Sequence, residues 1–318
     1  MRVGLHIPDF TWNGGPPALR SRLGEVARQA EQAGVDRISV MDHVWQIGHI
    51  GPPEHEMLEA YTTLGWLAAK TDRVKLLTVV TAVVYREPGL LAKAVTTLDV
   101  LSGGRVIAGV GPGSSERDYD AVGIPFHDRW KRFDESVRIL RALLHQESPP
   151  DDTRYFAAHD LALRPAPVQD GGVPLWIGSW GSAAGLRRVA RLGDGWLASA
   201  YNTTPDQFAS ANGLLGDELR RQGRHAEQFP NALVTMWTWI TESQSERERI
   251  LADVLAPLLN RPVDELRERV CVSSAEHCAE LLSRYASSGC QRVYLWFLGD
   301  EPRQIELAAA EIAPRIKC

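Results

Sequence analysis

VKLLTVVTAVVYREPGLLAKAVTTLDVLSGGRVIAGVG, Val74 to Gly111, is the stretch on which the fold turns. Its ends, VKLLTVV (74–80) and RVIAGV (105–110), are short runs of β-branched and apolar residues. Between them Leu90, Leu91, Ala94, Val95, Leu98 and Leu101 recur at steps of three and four, the period of an amphipathic helix. A strand apolar on both faces, a helix and a second such strand describe a β-α-β unit, because a parallel sheet is covered on both sides and its crossovers need a helix's length of chain.

The unit repeats along the chain. Further strand-like runs are RVGLHI (2–7), RISVM (37–41), PLWIG (174–178), GWLAS (195–199), ALVTMWTWI (232–240) and RVYLWFL (292–298), making eight in all. A second amphipathic segment carries Leu19, Leu23, Val26, Ala27 and Ala30. Eight buried parallel strands alternating with helices predict an α/β fold, a closed (β/α)8 TIM barrel formed by residues 1–318 as a single domain. Two stretches exceed a minimal barrel and are expected as insertions, 146–172 and 204–231. The runner-up, a doubly wound open sheet, rests on GVGPGS (109–114); Ser114 stands at the third glycine position and Pro112 interrupts the turn, so that fingerprint is rejected.

Composition narrows the function. The chain has 318 residues, 44% of them apolar, and a net charge of −5, which gives no reason to expect nucleic acid or an anionic membrane as partner. The opening MRVGLHIPDF enters a strand pattern without a leader, and no apolar run is long enough for a membrane span, so a cytoplasmic protein is expected. The four cysteines, Cys271, Cys278, Cys290 and Cys318, lack CxxC spacing and read as free thiols. EHEMLE (54–59) lacks a zinc-binding HExxH spacing, and no metal site is expected.

In barrels of this kind the working residues lie on the loops after the strands. Those loops are PDFTWNGG (8–15), DHVWQ (42–46), TAVVYREP (81–88), GPGSSERDY (111–119), GSWGSAAG (178–185) and GDEP (299–302). GSWGSAAG leads straight into a helix, so its backbone amides read as a phosphate cradle; the alternative is a tight turn using glycine for geometry. Phe10 and Trp12 read as substrate walls or lid packing. Glu116, Arg117, Asp118 and Tyr119 follow the glycine loop within reach of the mouth, but a charged run is more often a solvated face, and they rank below His43. His6 is expected inside the barrel, satisfied by a hydrogen bond.

MDHVWQ (41–46), the segment 61–111 with DVLSGGRVIAGVG at its end, PLWIGSWG (174–181) with VARLGDGW (189–196), and the closing RVYLWF together resemble the luciferase-like monooxygenase superfamily, specifically its coenzyme F420-dependent oxidoreductases. The resemblance implies a deazaflavin or flavin at the C-terminal mouth and hydride transfer as the chemistry. It places Val79, Val80 and Thr81 where a non-prolyl cis peptide bulges against the cofactor ring, and Asp42 as the acid beside that ring. Gly111, Gly113, Ser114 and Ser115, with Gly178, Ser179, Trp180 and Gly181, match the loops that hold the cofactor's chain and phosphate. His43 matches the histidine facing the reacting carbon in the sugar-phosphate dehydrogenases of the family, and Trp45 an aromatic of their substrate pocket. Those enzymes carry a glutamate where this chain has Ser114, so the implied proton-donor pair is incomplete.

Hydride transfer to a C=N, C=C or C=O carbon leaves charge on the neighbouring atom, and an imidazole supplies the proton near neutral pH. His43 and Asp42 are therefore the expected catalytic pair, with F420 as cofactor and a small organic molecule as substrate. The same fold with FMN as cofactor gives a monooxygenase, and a barrel without catalysis gives a ligand-binding protein. A homodimer is expected, with Leu58, Leu64 and Leu67 either in its interface or packed on the barrel's own strands.

Overall fold

The computed structural model describes residues 1–157 and 162–317. Ten strands occur in chain order: β1 (Arg2–Ile7), β2 (Arg37–Val40), β3 (Lys75–Thr78), β4 (Thr81–Ala82), β5 (Val106–Gly111), β6 (Leu175–Gly178), β7 (Gly195–Ser199), β8 (Asn231–Ile240), β9 (Cys271–Ser273) and β10 (Arg292–Phe297). Eight of them run β1-β2-β3-β5-β6-β7-β8-β10, all parallel, and β10 pairs with both β1 and β8, which closes the barrel. The remaining two are short additions, β4 beside β5 and β9 beside β8. The architecture is the expected (β/α)8 barrel.

Alternation along each strand divides the apolar residues into two cores. Leu5, Ile7, Ile38, Val40, Leu76, Val106 and Ala108 face outward under the helices. Leu77, Ile107, Trp176, Leu197, Trp237, Tyr294 and Trp296 fill the interior. Two slots make room for the large rings: a Cβ on Gly195 would stand 2.5 Å from the Trp176 ring, and one on Gly4 2.9 Å from Tyr294. The barrel is plugged, so a ligand has to enter at the rim.

The DVLSGGR segment is a structural knot. Helix Pro88–Ser102 ends at Gly103 with φ 69°, and the buried Asp99 accepts from the Val168 amide at 2.8 Å and Gln169 Nε2 at 2.7 Å. Arg105 donates to Ala68 O, Val74 O, Ser102 O and Thr71 Oγ1, tying two helix ends to the start of β5. Glu135 accepts from the amides of Arg154, Tyr155 and Phe156. The described parts of the 146–172 excursion are thus held by two buried carboxylates. The stretch 204–231 contains the helix Pro205–Arg221 and links β7 to β8.

Leu64 and Leu67 are buried on the barrel's own strands, which removes them from any exposed face, while Leu58 is half-buried. Cys271, Cys278 and Cys290 are buried free thiols; Cys318 lies outside the described residues. Among the described residues no helix is long and apolar enough to cross a membrane, and no cluster of His, Cys, Asp or Glu could hold a metal ion.

Candidate active site

β2 runs into the mouth at Asp42 and His43. The Asp42 carboxylate is buried and receives both forks of Arg86, at 2.6 and 2.8 Å, from the segment after β4. Arg86 also reaches Glu59, at 3.2 Å. Burial alone would lower the pKa of Arg86, but the hydrogen bonds and charge of Asp42 outweigh it and the net shift is upward. Asp42 is therefore a paired ion with a fixed orientation.

His43 Nδ1 lies 2.6 Å from Asp118 Oδ2. Asp118 is 1% exposed, although its sequence context, a charged run, pointed to a solvated face. The reason is local: Ser115 caps the short helix Glu116–Ala121, and its Oγ accepts from the Asp118 amide at 3.2 Å, turning that side chain inward. Arg117, next to it, stays outside and stacks 4.9 Å over the Trp45 ring. With Nδ1 committed to the carboxylate, the imidazole keeps Nε2 for a ligand; no protein partner holds it among the described residues.

The Val79–Val80 peptide is cis, at the position the family pattern indicated. The Val79 amide donates to Val40 O at 2.8 Å. Val80 occupies space left by two glycines: a Cβ on Gly111 would stand 2.6 Å from it and one on Gly178 3.2 Å. Beside the bulge runs a chain of hydroxyls, Tyr61 to Thr81 to Thr78 to the Gly109 carbonyl, each step 2.7 Å. Burial, then the Asp42 charge, raises the Tyr61 pKa, so its hydroxyl stays protonated and donates into the chain. Tyr85 Oη is buried without a partner, 2.9 Å from where a Gly113 Cβ would be. Its pKa is raised by burial first, then by Asp118, Tyr119 and Asp42, which marks it as a neighbour of both acids.

After β6, Ser182 caps the helix Ala183–Leu192 by accepting from the Gly185 amide. Gly181, with φ 91°, makes the turn, and exposed alanines at 183 and 184 leave the first-turn amides uncovered. Ser179 is buried; its Oγ packs where a Gly185 Cβ would be, and its carbonyl accepts from Trp196 Nε1 at 2.9 Å. Trp180 is 69% exposed, and Ser114 is exposed while Ser115 is occupied as a cap. The donor set fits a phosphate-bearing cofactor: bare amides at a helix N-terminus on one side of the mouth, and an apolar ledge at Val80 on the other.

Phe10 is 1% exposed in the outer core and meets Trp12 edge-on at 6.0 Å, so of the two roles weighed for it the structure gives packing. Trp12 is half-buried, with Nε1 donating to Glu301. His55 of EHEMLE pairs with Asp9 at 2.7 Å. His6 lies inside the barrel, bonded to Ser39 at 2.8 Å and stacked on Trp296 at 3.9 Å. Sequence reading ranked Asp118 low and missed Arg86 and Tyr85. Their common signal was position on a mouth loop, in SSERDY and VVYREP, where a charged or phenolic residue sits within a few places of a strand end.

A parallel barrel with an acid–imidazole pair, a cis-peptide ledge and a helix N-terminus at one mouth defines a cofactor-dependent barrel enzyme. The family model for luciferase-like monooxygenase matches residues 1–292, and the chain belongs to that family. An F420-dependent glucose-6-phosphate dehydrogenase of Kineococcus radiotolerans is 32% identical, over 93% of each chain. A 5,10-methylenetetrahydromethanopterin reductase of Archaeoglobus fulgidus is 30% identical over 72% of this chain and 61% of that one. Among solved structures, an F420-dependent secondary alcohol dehydrogenase in complex with an F420-acetone adduct superposes with a TM-score of 0.84 at 19% identity, covering 100% of this chain and 99% of that one.

Proposed function

We propose that this protein is an F420-dependent oxidoreductase acting on a small organic substrate at the C-terminal mouth of the barrel. The observation that carries the reading is the His43–Asp118 pair, 2.6 Å apart, at the end of the strand next to the Val79–Val80 ledge. F420, when bound, supplies or accepts the hydride. The family membership and the F420-dependent relatives support that cofactor over FMN.

The protein's own residues manage the proton. Asp118 holds the proton of His43 on Nδ1 and presents Nε2 as a bare lone pair, ready to accept a proton from an alcohol or, once protonated, to donate one to a carbonyl, imine or enone. Asp118 also stabilises the imidazolium that forms in either direction. Asp42, with each oxygen accepting from the Arg86 guanidinium, shapes the wall beside the ledge rather than orienting His43. The amides of Ala183 and Ala184 would hold the cofactor phosphate. Ser114, where the sugar-phosphate dehydrogenases of the family carry a glutamate, leaves His43 with Asp118 to handle the proton.

The test is turnover of F420 against a panel of secondary alcohols, and of reduced F420 against ketones, imines and enones, with parent and His43→Ala. The expected result is turnover by the parent, reduced about 10²–10⁴-fold in kcat by His43→Ala with F420 affinity kept within a few-fold. Equal kcat in both proteins would remove His43 from the chemistry.

A further inference from the structure

The opposite end of the barrel holds a second, differently charged centre. Four neighbouring strands begin with a basic residue: Arg292 on β10, Arg2 on β1, Arg37 on β2 and Lys75 on β3. They are matched in register, Arg2 with Arg292 and Arg37 with Lys75. Alternation puts Arg292, Arg37 and Lys75 on the interior face, because Tyr294 and Trp296, Met41, and Leu77 and Val79 lie in the inner core at even steps along the same strands, while the Arg2 side chain is largely exposed at the rim. One side of the barrel's bottom is therefore an arc of cations beside the Trp176 plug.

One carboxylate serves them. Asp36 lies 3.2 Å from Arg2 Nη1, 3.1 Å from Arg37 Nε and 3.1 Å from Arg292 Nε. The other charged group nearby, Asp99, is spent on Val168 and Gln169. Arg37 is 6% exposed, and its Nε and Nη1 have no aligned hydrogen-bond acceptor. Its guanidinium stacks 4.8 Å over Trp176, with Arg292 5.9 Å from the same ring. Lys75 makes no hydrogen bond or ion pair through its ammonium among the described residues. Burial first, then the charge of Arg37, with that of Arg292, lower its pKa against the partly offsetting charges of Asp36 and Asp99. Stacking on an indole offsets part of the charge of Arg37, but it gives the buried Nη1 no acceptor, and Lys75 has only the through-space charges of Asp36 and Asp99 to offset its own.

We propose that the N-terminal end of the barrel is an anion site, taking a small oxyanion of the phosphate type between Lys75, Arg37 and Arg292. A tetrahedral oxyanion supplies several acceptor oxygens at once, which suits two guanidinium forks and an ammonium better than a spherical ion does. Its position, a barrel's length from His43 and the helix at Ala183, separates it from the cofactor phosphate. Binding there neutralises the cation arc and locks the stack of Arg37 and Arg292 on Trp176 at the bottom of the barrel.

The experiment is thermal unfolding of the full chain in a phosphate-free zwitterionic buffer, titrated with inorganic phosphate at ionic strength held constant with sodium chloride. Ala184→Glu serves as background, since a carboxylate on the exposed first turn occupies the mouth amides without disturbing the fold. The expected result is a saturable rise in Tm of about 3–5 °C that persists in Ala184→Glu and disappears when Lys75→Met is added. Lys75→Met in phosphate-free buffer is expected to have a Tm equal to or above the parent, because a half-buried cation beside two like charges has been removed. A rise reproduced by chloride alone, a rise abolished by Ala184→Glu or retained by Lys75→Met, or a lower Tm of Lys75→Met without phosphate would each overturn the proposal.

Discussion

His43 and Asp118 are 75 residues apart in the chain and meet only because β2 and β5 open onto the same mouth. His43 is legible from its place directly after a strand, whereas Asp118 is not, since nothing in ERDY says which of its charges the Ser115 cap turns inward. Asp118→Asn should lower kcat by about 10²–10³-fold, because the amide orients the ring less firmly and no longer stabilises the imidazolium, and should leave the F420 Kd within a few-fold. Steady-state kinetics with a cofactor titration check it; an unchanged kcat would detach Asp118 from His43's role. Asp42 reads from the sequence as a catalytic partner of His43 and a cofactor neighbour, but the partner of His43 is Asp118 and Asp42 is held by the Arg86 fork, which no spacing in the sequence indicates. Arg86→Met leaves a buried carboxylate unpaired and should cost about 3–5 kcal/mol by urea unfolding, with Arg86→Lys in between. His6 supplies a pH dependence. Ser39 Oγ donates to Leu5 O at 3.3 Å and so accepts from His6 Nδ1; burial lowers the His6 pKa well below 6.5. The unfolded chain then binds the proton that the folded chain refuses. Stability from this source is full above pH 6.5 and is lost as pH falls below that value towards the folded pKa, at up to about 1.4 kcal/mol per pH unit. Unfolding free energies of parent and His6→Asn between pH 7 and about pH 5 should diverge accordingly; parallel curves would contradict it.

At the scale of elements, the sequence carried most of the information where backbone geometry dictates residue type. DVLSGGR was recognisable because its aspartate, glycines and arginine each meet a separate demand: anchoring the excursion, ending the helix in the left-handed region and tying three backbone carbonyls together. The glycines at 111 and 178 were read as cofactor contacts, and the structure shows a second reason for them, the room taken by Val80. Sequence could not reveal that, since the close approach joins β5 and β6 to the end of β3. The helix Ala183–Leu192 starts with small exposed residues, so Ala184→Glu should weaken F420 binding at least about 10-fold by repelling the phosphate while leaving Tm unchanged or slightly raised, because acids suit a helix N-terminus. Unaltered affinity would place the phosphate elsewhere.

Over the whole molecule, eight apolar runs at barrel spacing sufficed for the architecture, because parallel strands buried on both faces leave few other topologies. What plugs the interior was harder to read: Trp176 and Tyr294 look like ordinary strand residues until Gly195 and Gly4 are seen opposite them. The closed interior leaves the C-terminal mouth as the place for the cofactor, and the residues of that mouth fit F420. The direct measurement is a side-by-side equilibrium titration of the purified protein with F420 and with FMN, followed by fluorescence quenching. F420 should bind at least about 10-fold more tightly than FMN and be displaced from Ala184→Glu in the same titration. Tighter binding of FMN, or saturable binding of neither, would contradict it.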